Sequence, residues 1–282
     1  MKKSKIILLP LLAVIIVLVS CTTEGPAGPA GEDGTDGVTT TIYETDGYID
    51  TDTTWSGEVY LTTDIVVDSA ILTIADNTTV YTYDHNFYFY DASLIAKSAS
   101  KNIIFGNADY SWNIKSYNNS FLELSNIIIS SSYYNLFYLY DNTVCNINNT
   151  EINGGHYYFY DDSQLVLNNS TFEDFFIGFY SSTLNIINSV KFYSGAINTY
   201  SYFTGTVNID SSDIVGNNEY GLGNDYAIYG QGGTINLNNC YIFSNNGSTI
   251  IATSTTVPDD PDSPQQYVGV TSITAPRSTP NF

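Results

Sequence analysis

A short phrase recurs along the middle of the chain, and it constrains the fold more than any other feature. In each copy an apolar residue, any residue and a second apolar residue precede two or three small polar residues and another apolar residue. The copies are CNINNTEI at 145–152, LVLNNSTF at 165–172, NIINSVKF at 185–192, VNIDSSDI at 207–214 and INLNNCYI at 235–242. Repeats of this size determine the architecture of a chain, so they are considered first.

The first polar residue after each apolar pair marks the register of the repeat. The marks are Asn148, Asn168, Asn188, Asp210 and Asn238, with weaker copies at Ala75, Lys97 and Ser125. From Ala75 onward, successive marks are separated by 22, 28, 23, 20, 20, 22 and 28 residues. The apolar residues alternate with a period of two and lack helical spacing, and the Asn-rich segments between them are typical of turns.

This pattern predicts an all-β parallel β-helix, or β-solenoid, of about eight coils. Coils stacked roughly 4.8 Å apart pair each strand with the strands above and below and make a continuous core. Asn and Asp suit the corners, because they tolerate left-handed backbone angles, and Asn side chains stacked at one corner can bond one another. We assign the β-helix to residues 42–252 and interpret its first strands, around Trp55, as an N-terminal cap.

The first 20 residues predict a secretory signal peptide. The chain begins MKKSK, continues with the apolar run IILLPLLAVIIVLVS and reaches Cys21. Leu18, Val19, Ser20 and Cys21 resemble the lipobox of bacterial lipoproteins. That resemblance implies cleavage before Cys21, acylation of Cys21 and a lipid-anchored protein of the cell envelope, at the outer membrane or the cell surface. The alternative is an uncleaved membrane anchor, for which the run is slightly short.

Two segments outside the repeat have a biased composition. Residues 21–41 contain Gly at every third position from Gly25 to Gly37, which is the collagen register but too few triplets for a triple helix. We interpret this segment as a Gly/Pro-rich tether, with trimerisation as the alternative. Residues 253–282 are rich in Thr, Ser, Pro and Asp, which predicts a low-complexity C-terminal tail, with 268–274 available as one short capping strand.

Charge excludes several classes of partner. Three of the eight Lys and Arg residues precede Cys21, so a processed chain keeps five against 29 acids, a net charge of −24. Nucleic acids and anionic membranes require clustered cations, so we expect neither as a partner, and contact with a membrane would occur through the lipid.

Cys145 and Cys240 lie four coils apart, too far for a disulfide, and are expected to be buried thiols.

An aromatic phrase follows each mark, with its last aromatic residue 12 to 15 residues after the mark, as in FYFYD at 87–91, FYLYD at 137–141 and YYFYD at 157–161. Alternation along a strand places the more apolar residues inward and the others outward. The predicted outward ladder is Tyr90, Trp112, Tyr140, Tyr160 and Tyr180. Beside it run Asp91, Asn113, Asp141, Asp161 and Ser181. Asp141 and Asp161 are weak candidates for binding Ca²⁺ between coils, with solvation as the default, and no other cofactor is implied.

The coil length, the Asn corners and the aromatic strands resemble the right-handed parallel β-helix of the pectate-lyase-like superfamily. Lyases of that fold use an Arg or Lys base beside Ca²⁺-binding carboxylates, but no Arg precedes Arg277 here. Its glycoside hydrolases use an Asp cluster with Gly-His-Gly and Arg-x-Lys phrases, whereas this chain offers Asp161-Asp162 and Gly154-Gly155-His156 without either cation. The sequence therefore favours a protein that is not an enzyme.

Three functional hypotheses follow. The first is a non-catalytic surface lipoprotein that binds polysaccharide or adheres to a cell surface through the aromatic ladder, since large exposed patches often mark interaction sites. The second is a structural envelope protein without a ligand, in which outward tyrosines stabilise the sheet. The third is a polysaccharide lyase or hydrolase of the pectate-lyase-like type.

Overall fold

The structure is a computed structural model, and it describes residues 41–44, 47–101, 103–107, 110–131, 136–216, 227–244, 267–268, 272–274 and 279. The signal peptide, Cys21, the tether up to residue 40 and most of the C-terminal tail lie outside these residues. Within the described part of the chain every regular element is a β-strand, and no helix is long and apolar enough to cross a membrane. The all-β prediction is confirmed.

The strands stack in three parallel columns and form a β-solenoid of about seven turns, close to the predicted eight. Short strands at both ends lengthen the third column to ten strands. This third column comprises Thr53–Trp55, Ile71–Ile74, Ser93–Lys97, Phe121–Ser125, Val144–Asn148, Gln164–Asn168, Leu184–Asn188, Thr206–Asp210, Thr234–Asn238 and Ser272–Thr274.

The other two columns join in the middle coils, where one long strand contributes to both. These long strands are Glu151–Phe159, Thr171–Phe179 and Lys191–Thr199. The remaining strands of the first column are Thr41–Glu44, Glu58–Leu61, Thr79–Tyr81, Ile103–Asn107, Ile127–Ser131, Asp213–Gly216 and Tyr241–Ser244. Those of the second column are Tyr48–Ile49, Ile65–Asp68, Phe87–Tyr90, Ile114–Tyr117, Phe137–Leu139, Ile228–Gly230 and Tyr267–Val268.

The predicted register is confirmed in the third column, where each mark pairs with the next. Ser125 pairs with Lys97 on one side and with Asn148 on the other. The pairing continues through Asn168, Asn188, Asp210 and Asn238. The marks therefore lie one above another. The two 28-residue coils, from Lys97 to Ser125 and from Asp210 to Asn238, keep this register in spite of their extra residues.

From Ser125 onward, the residue after each mark turns the chain with a left-handed backbone. These residues are Asn126, Asn149, Asn169, Ser189, Ser211 and Asn239, with φ between 47° and 54°. Asn149 Nδ2 donates to Asn126 Oδ1 one coil away, and Asn239 Nδ2 donates to Ser211 Oγ at 3.1 Å. Stacked polar side chains thus bond along the axis at this corner, as the sequence predicted.

The core is apolar and rich in aromatic rings. Phe172, Phe175 and Phe192 are fully buried, with ring centroids of Phe175 and Phe192 4.8 Å apart. Gly195 is required beside them, because a Cβ there would lie 2.2 Å from the Phe175 carbonyl oxygen. Cys145 and Cys240 are buried and no disulfide joins them, which confirms the expectation for both thiols.

The segments predicted as cap and tail contribute strands to the solenoid. Thr53–Trp55 pairs in parallel with Ile71–Ile74, and the Trp55 side chain is only 1% exposed. At the other end, Ser272–Thr274 pairs with Asn236, Leu237 and Asn238. Trp55 thus adds to the core near the N-terminal end of the stack, and the C-terminal strand extends the third column by one strand.

Candidate functional site

The outer side of the second column carries the site, and alternation along its strands decides which side chains reach it. Phe87 and Phe89 are fully buried, so Tyr88 and Tyr90 point outward and are partly exposed. The other residues predicted to point inward are also buried: Phe137, Leu139, Tyr157, Phe159, Ile177 and Phe179.

Six outward tyrosines stack along the axis, and we call them the tyrosine file: Tyr90, Tyr117, Tyr140, Tyr160, Tyr180 and Tyr200. Successive ring centroids lie 4.9, 4.9, 4.8, 4.5 and 3.8 Å apart, with angles between ring planes from 3° to 21°. The spacing follows that of the paired strands beneath. Four of the five residues predicted for the ladder lie in this file.

Trp112, the fifth predicted residue, is not on the outer surface. Its side chain is fully buried, its Nε1 donates to the Ser130 carbonyl oxygen at 2.9 Å, and its ring centroid lies 5.2 Å from that of Phe105. The prediction was wrong because it counted a constant offset forward from Lys97. The extra residues of this 28-residue coil come before the strand that begins at Ile114, so a forward count stops short of the outer row.

Tyr117 occupies the position predicted for Trp112. It pairs in register with Tyr90, and Asn118 rather than Asn113 then follows at the corner. Counting eight residues back from the following mark would have found it. That count from Ser125 reaches Tyr117, and the equivalent counts from later marks reach Tyr140, Tyr160 and Tyr180.

A second file runs parallel to the tyrosine file, two residues earlier on each strand, and contains Tyr88, Lys115, Tyr138 and Tyr158. Lys115 Nζ lies 5.4 Å from the ring centroid of Tyr88 and 5.8 Å from that of Tyr138, within range of a cation–π interaction with each. The Tyr138 ring lies 6.4 Å from Tyr140, with an interplanar angle of 5°. We call the two files together the tyrosine face.

The second file ends where Gly178 replaces an aromatic residue. A Cβ on Gly178 would lie 3.1 Å from Tyr158 Cδ1 and 3.3 Å from Tyr200 Cε2, so the two rings close over this glycine. His156 Nδ1 lies 3.2 Å from the Tyr158 hydroxyl oxygen. Partial burial lowers the pKa of His156, which keeps its imidazole neutral near pH 7.

Burial also raises the pKa of several tyrosine hydroxyls. Desolvation is the largest cause that raises the pKa of Tyr117, Tyr158 and Tyr160 to about 12, and it raises the pKa of Tyr140 and Tyr180 as well. A tyrosine hydroxyl is protonated at physiological pH even without these shifts, which extend that state to more alkaline pH, and each hydroxyl can donate and accept a hydrogen bond.

The carboxylates beside the tyrosine file shape the corner of the chain. Asp91, Asn118, Asp141 and Asp161 each have a φ between 46° and 60°. Asp91 accepts hydrogen bonds from Asn119 Nδ2 at 3.0 Å and Asn118 Nδ2 at 2.9 Å, and the Asn119 side chain is the main cause that lowers its pKa. Asp141 Oδ2 accepts from the Asn118 backbone N–H at 2.9 Å.

Asp161, Asp162, Gly154 and Gly155 were compared above with the catalytic residues of glycoside hydrolases. Asp161 and Asp162 are both exposed at the corner. Gly154 and Gly155 have φ of 81° and 106° at the bend of a long strand, and a Cβ on Gly154 would lie 2.5 Å from the Ser131 carbonyl oxygen. Within the described ranges, no group of three or more His, Cys, Asp or Glu residues is arranged to hold a metal ion.

A comparison of the chain with protein-family models, curated proteins and solved structures found no match. The tyrosine face is therefore the surface of the described residues that bears most directly on function. It is neutral apart from Lys115, lies beside an acidic corner, and carries stacked phenol rings.

Proposed function

We propose that the protein is a non-catalytic surface lipoprotein that binds polysaccharide along the tyrosine face. The tyrosine file of six stacked rings is the observation that carries this proposal. A continuous aromatic surface along one side of a soluble domain is typical of an interaction site. Its rows of phenol hydroxyls fit a partner that is itself long and rich in hydroxyl groups.

Charge supports a carbohydrate partner. The processed chain would carry a net charge of −24, which disfavours nucleic acid and other polyanions. The exposed carboxylates at the neighbouring corner, such as Asp141 and Asp161, can accept hydrogen bonds from sugar hydroxyls. A polyhydroxylated, uncharged polymer satisfies both surfaces at once.

The proposed location follows from the N-terminal segment. Lipidation of Cys21 would anchor the chain to the cell envelope, at the outer membrane or the cell surface, and the Gly/Pro-rich tether would separate the solenoid from the lipid. We also propose that the solenoid is right-handed and related to the pectate-lyase-like superfamily, which its coil length and corner residues support. Palmitate labelling of wild type and Cys21→Ala tests the anchor.

Affinity electrophoresis through gels that contain different polysaccharides tests the binding. The double variant Tyr140→Ala/Tyr160→Ala is expected to lose the retardation that wild type shows. Tyr81→Ala is the matched control, because Tyr81 stacks on Tyr60 at 4.6 Å on the first column, away from the tyrosine face. The proposal fails if wild type is neither retarded by a polysaccharide in the gel nor retained on an insoluble one, or if the double variant binds as wild type does.

A structural role without a ligand is the second candidate. It is favoured by the stacking itself, since each ring in the middle of the tyrosine file contacts a ring above and a ring below. Such pairs stabilise a sheet even when nothing binds. Absence of retardation together with a clear loss of stability in the double variant would support this role.

A further inference from the structure

The two files of the tyrosine face form a two-dimensional lattice of phenol rings. Along the solenoid axis the rings repeat at about the strand spacing, for example 4.8 Å between Tyr140 and Tyr160. Across the axis the ring centroids of the two files are 6.4 Å apart, both between Tyr138 and Tyr140 and between Tyr158 and Tyr160. Successive coils of the tyrosine file therefore present their rings at a nearly constant spacing along the axis.

The orientation of the rings decides which atoms a ligand can touch. Tyr117, Tyr140 and Tyr160 are stacked nearly parallel, with interplanar angles of 3° and 7°. Each ring in the middle of the tyrosine file therefore has both faces covered by its neighbours. A sugar ring cannot stack on a covered face, so contact in this part of the surface is made through ring edges and hydroxyl groups.

The lattice is also rigid before any ligand arrives. Each strand beneath it is paired on both sides, as Phe137–Leu139 is with Ile114–Tyr117 and Glu151–Phe159. The stacked rings also restrict one another. A surface that is already ordered loses little conformational entropy on binding.

We infer, on the basis of the proposed function, that the ligand is an insoluble, uncharged polysaccharide with aligned chains rather than a soluble oligosaccharide. A free oligosaccharide must lose conformational freedom to match a fixed lattice, whereas a chain in an ordered solid has already lost it. Many weak contacts that form together along such a surface then add, as in multivalent binding. The hydroxyl groups of the tyrosine face, and not its ring faces, determine the affinity.

Co-sedimentation with cellulose and with chitin tests this inference, because each polymer is available in three physical forms. Microcrystalline solid, acid-swollen amorphous solid and the soluble hexasaccharide are compared at equal sugar concentration. We expect retention on the microcrystalline form of at least one of the two polymers. The apparent affinity for that form should exceed the affinity for its hexasaccharide, measured by calorimetry, by at least about tenfold.

Two pairs of variants separate the role of the hydroxyls from that of the rings. Tyr140→Phe/Tyr160→Phe keeps the stacked rings but removes two hydroxyls, and is expected to weaken retention by about tenfold. Tyr140→Ala/Tyr160→Ala should lose retention further. Tyr81→Phe is the control outside the tyrosine face and should bind as wild type does.

The outcomes distinguish this inference from the proposed function. Equal or tighter binding of the hexasaccharide, or a Phe double variant that binds as wild type while the Ala double variant does not, overturns the inference and leaves polysaccharide binding intact. Absence of binding to every form of both polymers overturns the inference, and the electrophoresis with other polysaccharides then decides the proposed function separately.

Discussion

Replacement of Tyr140 by Ala removes one ring from the middle of the tyrosine file and measures what the stacking contributes to stability. The ring of Tyr140 lies 4.9 Å from that of Tyr117 and 4.8 Å from that of Tyr160, in nearly parallel planes. The substitution therefore breaks these two close pairs, together with the wider contact to Tyr138 at 6.4 Å, and leaves a gap one ring wide. Tyr140→Phe removes only the hydroxyl and keeps both pairs.

The expected loss follows from these two pairs. An aromatic pair contributes about 0.5–1.5 kcal/mol beyond its buried area, so Tyr140→Ala should lower the free energy of unfolding by about 1–3 kcal/mol. Tyr140→Phe should lie within about 0.5 kcal/mol of wild type. Tyr202→Ala is the control for an exposed ring, because Tyr202 is 59% exposed and makes only wider ring contacts, at 5.8 and 6.2 Å, so it should lose less stability than Tyr140→Ala.

Urea unfolding followed by circular dichroism and by tryptophan fluorescence measures these differences. Solenoids can unfold in parts, so the two signals must give one coincident transition before the free energies are compared. If Tyr140→Ala is as stable as Tyr202→Ala, the stacked rings contribute nothing to the fold. The argument that stacking makes the tyrosine face rigid would then be refuted.

Four further outcomes are expected. Trp112→Ala should lower the free energy of unfolding in urea by about 3–5 kcal/mol, whereas an exposed residue would change it by about 0.5 kcal/mol or less. Gly195→Ala should lower it by about 1–3 kcal/mol, because the new methyl group would collide with the Phe175 carbonyl oxygen, and a neutral effect would contradict this packing. Because the pKa of Asp91 is lowered in the folded state, its contribution is present above the unfolded-state pKa of about 4 and is lost as pH falls through the folded-state pKa. Melting curves between about pH 5 and pH 2 should therefore show a larger loss of stability in wild type than in Asp91→Asn, and equal slopes would refute the assignment. Burial raises the pKa of the Cys145 thiol, so this thiol should react with a disulfide reagent only after unfolding, and fast reaction in the native state would contradict its burial.

The repeat made the architecture and its register predictable from the sequence. Strand side chains alternate with a period of two and left-handed corners select Asn, Asp or Ser, so both features can be recognised within one coil. The marks from Lys97 to Asn238 consequently pair as predicted. The inward and outward positions around Phe87 and Tyr90 follow from the same local rule.

The candidate site was less predictable, because it depends on contacts between coils. The extra residues of a long coil can lie before or after any strand, and only the pairing of Tyr117 with Tyr90 shows where they lie. A forward count therefore selected Trp112, which is buried.

Local chemistry determined the winding of this chain, since each coil contains its own strands and corners. The tertiary structure alone decided that the tyrosines of the file stack ring on ring, so that each ring in its middle has both faces covered. The physical reason is that the orientation of each ring is restricted by rings about 20 residues away in sequence and about 4.8 Å away in space.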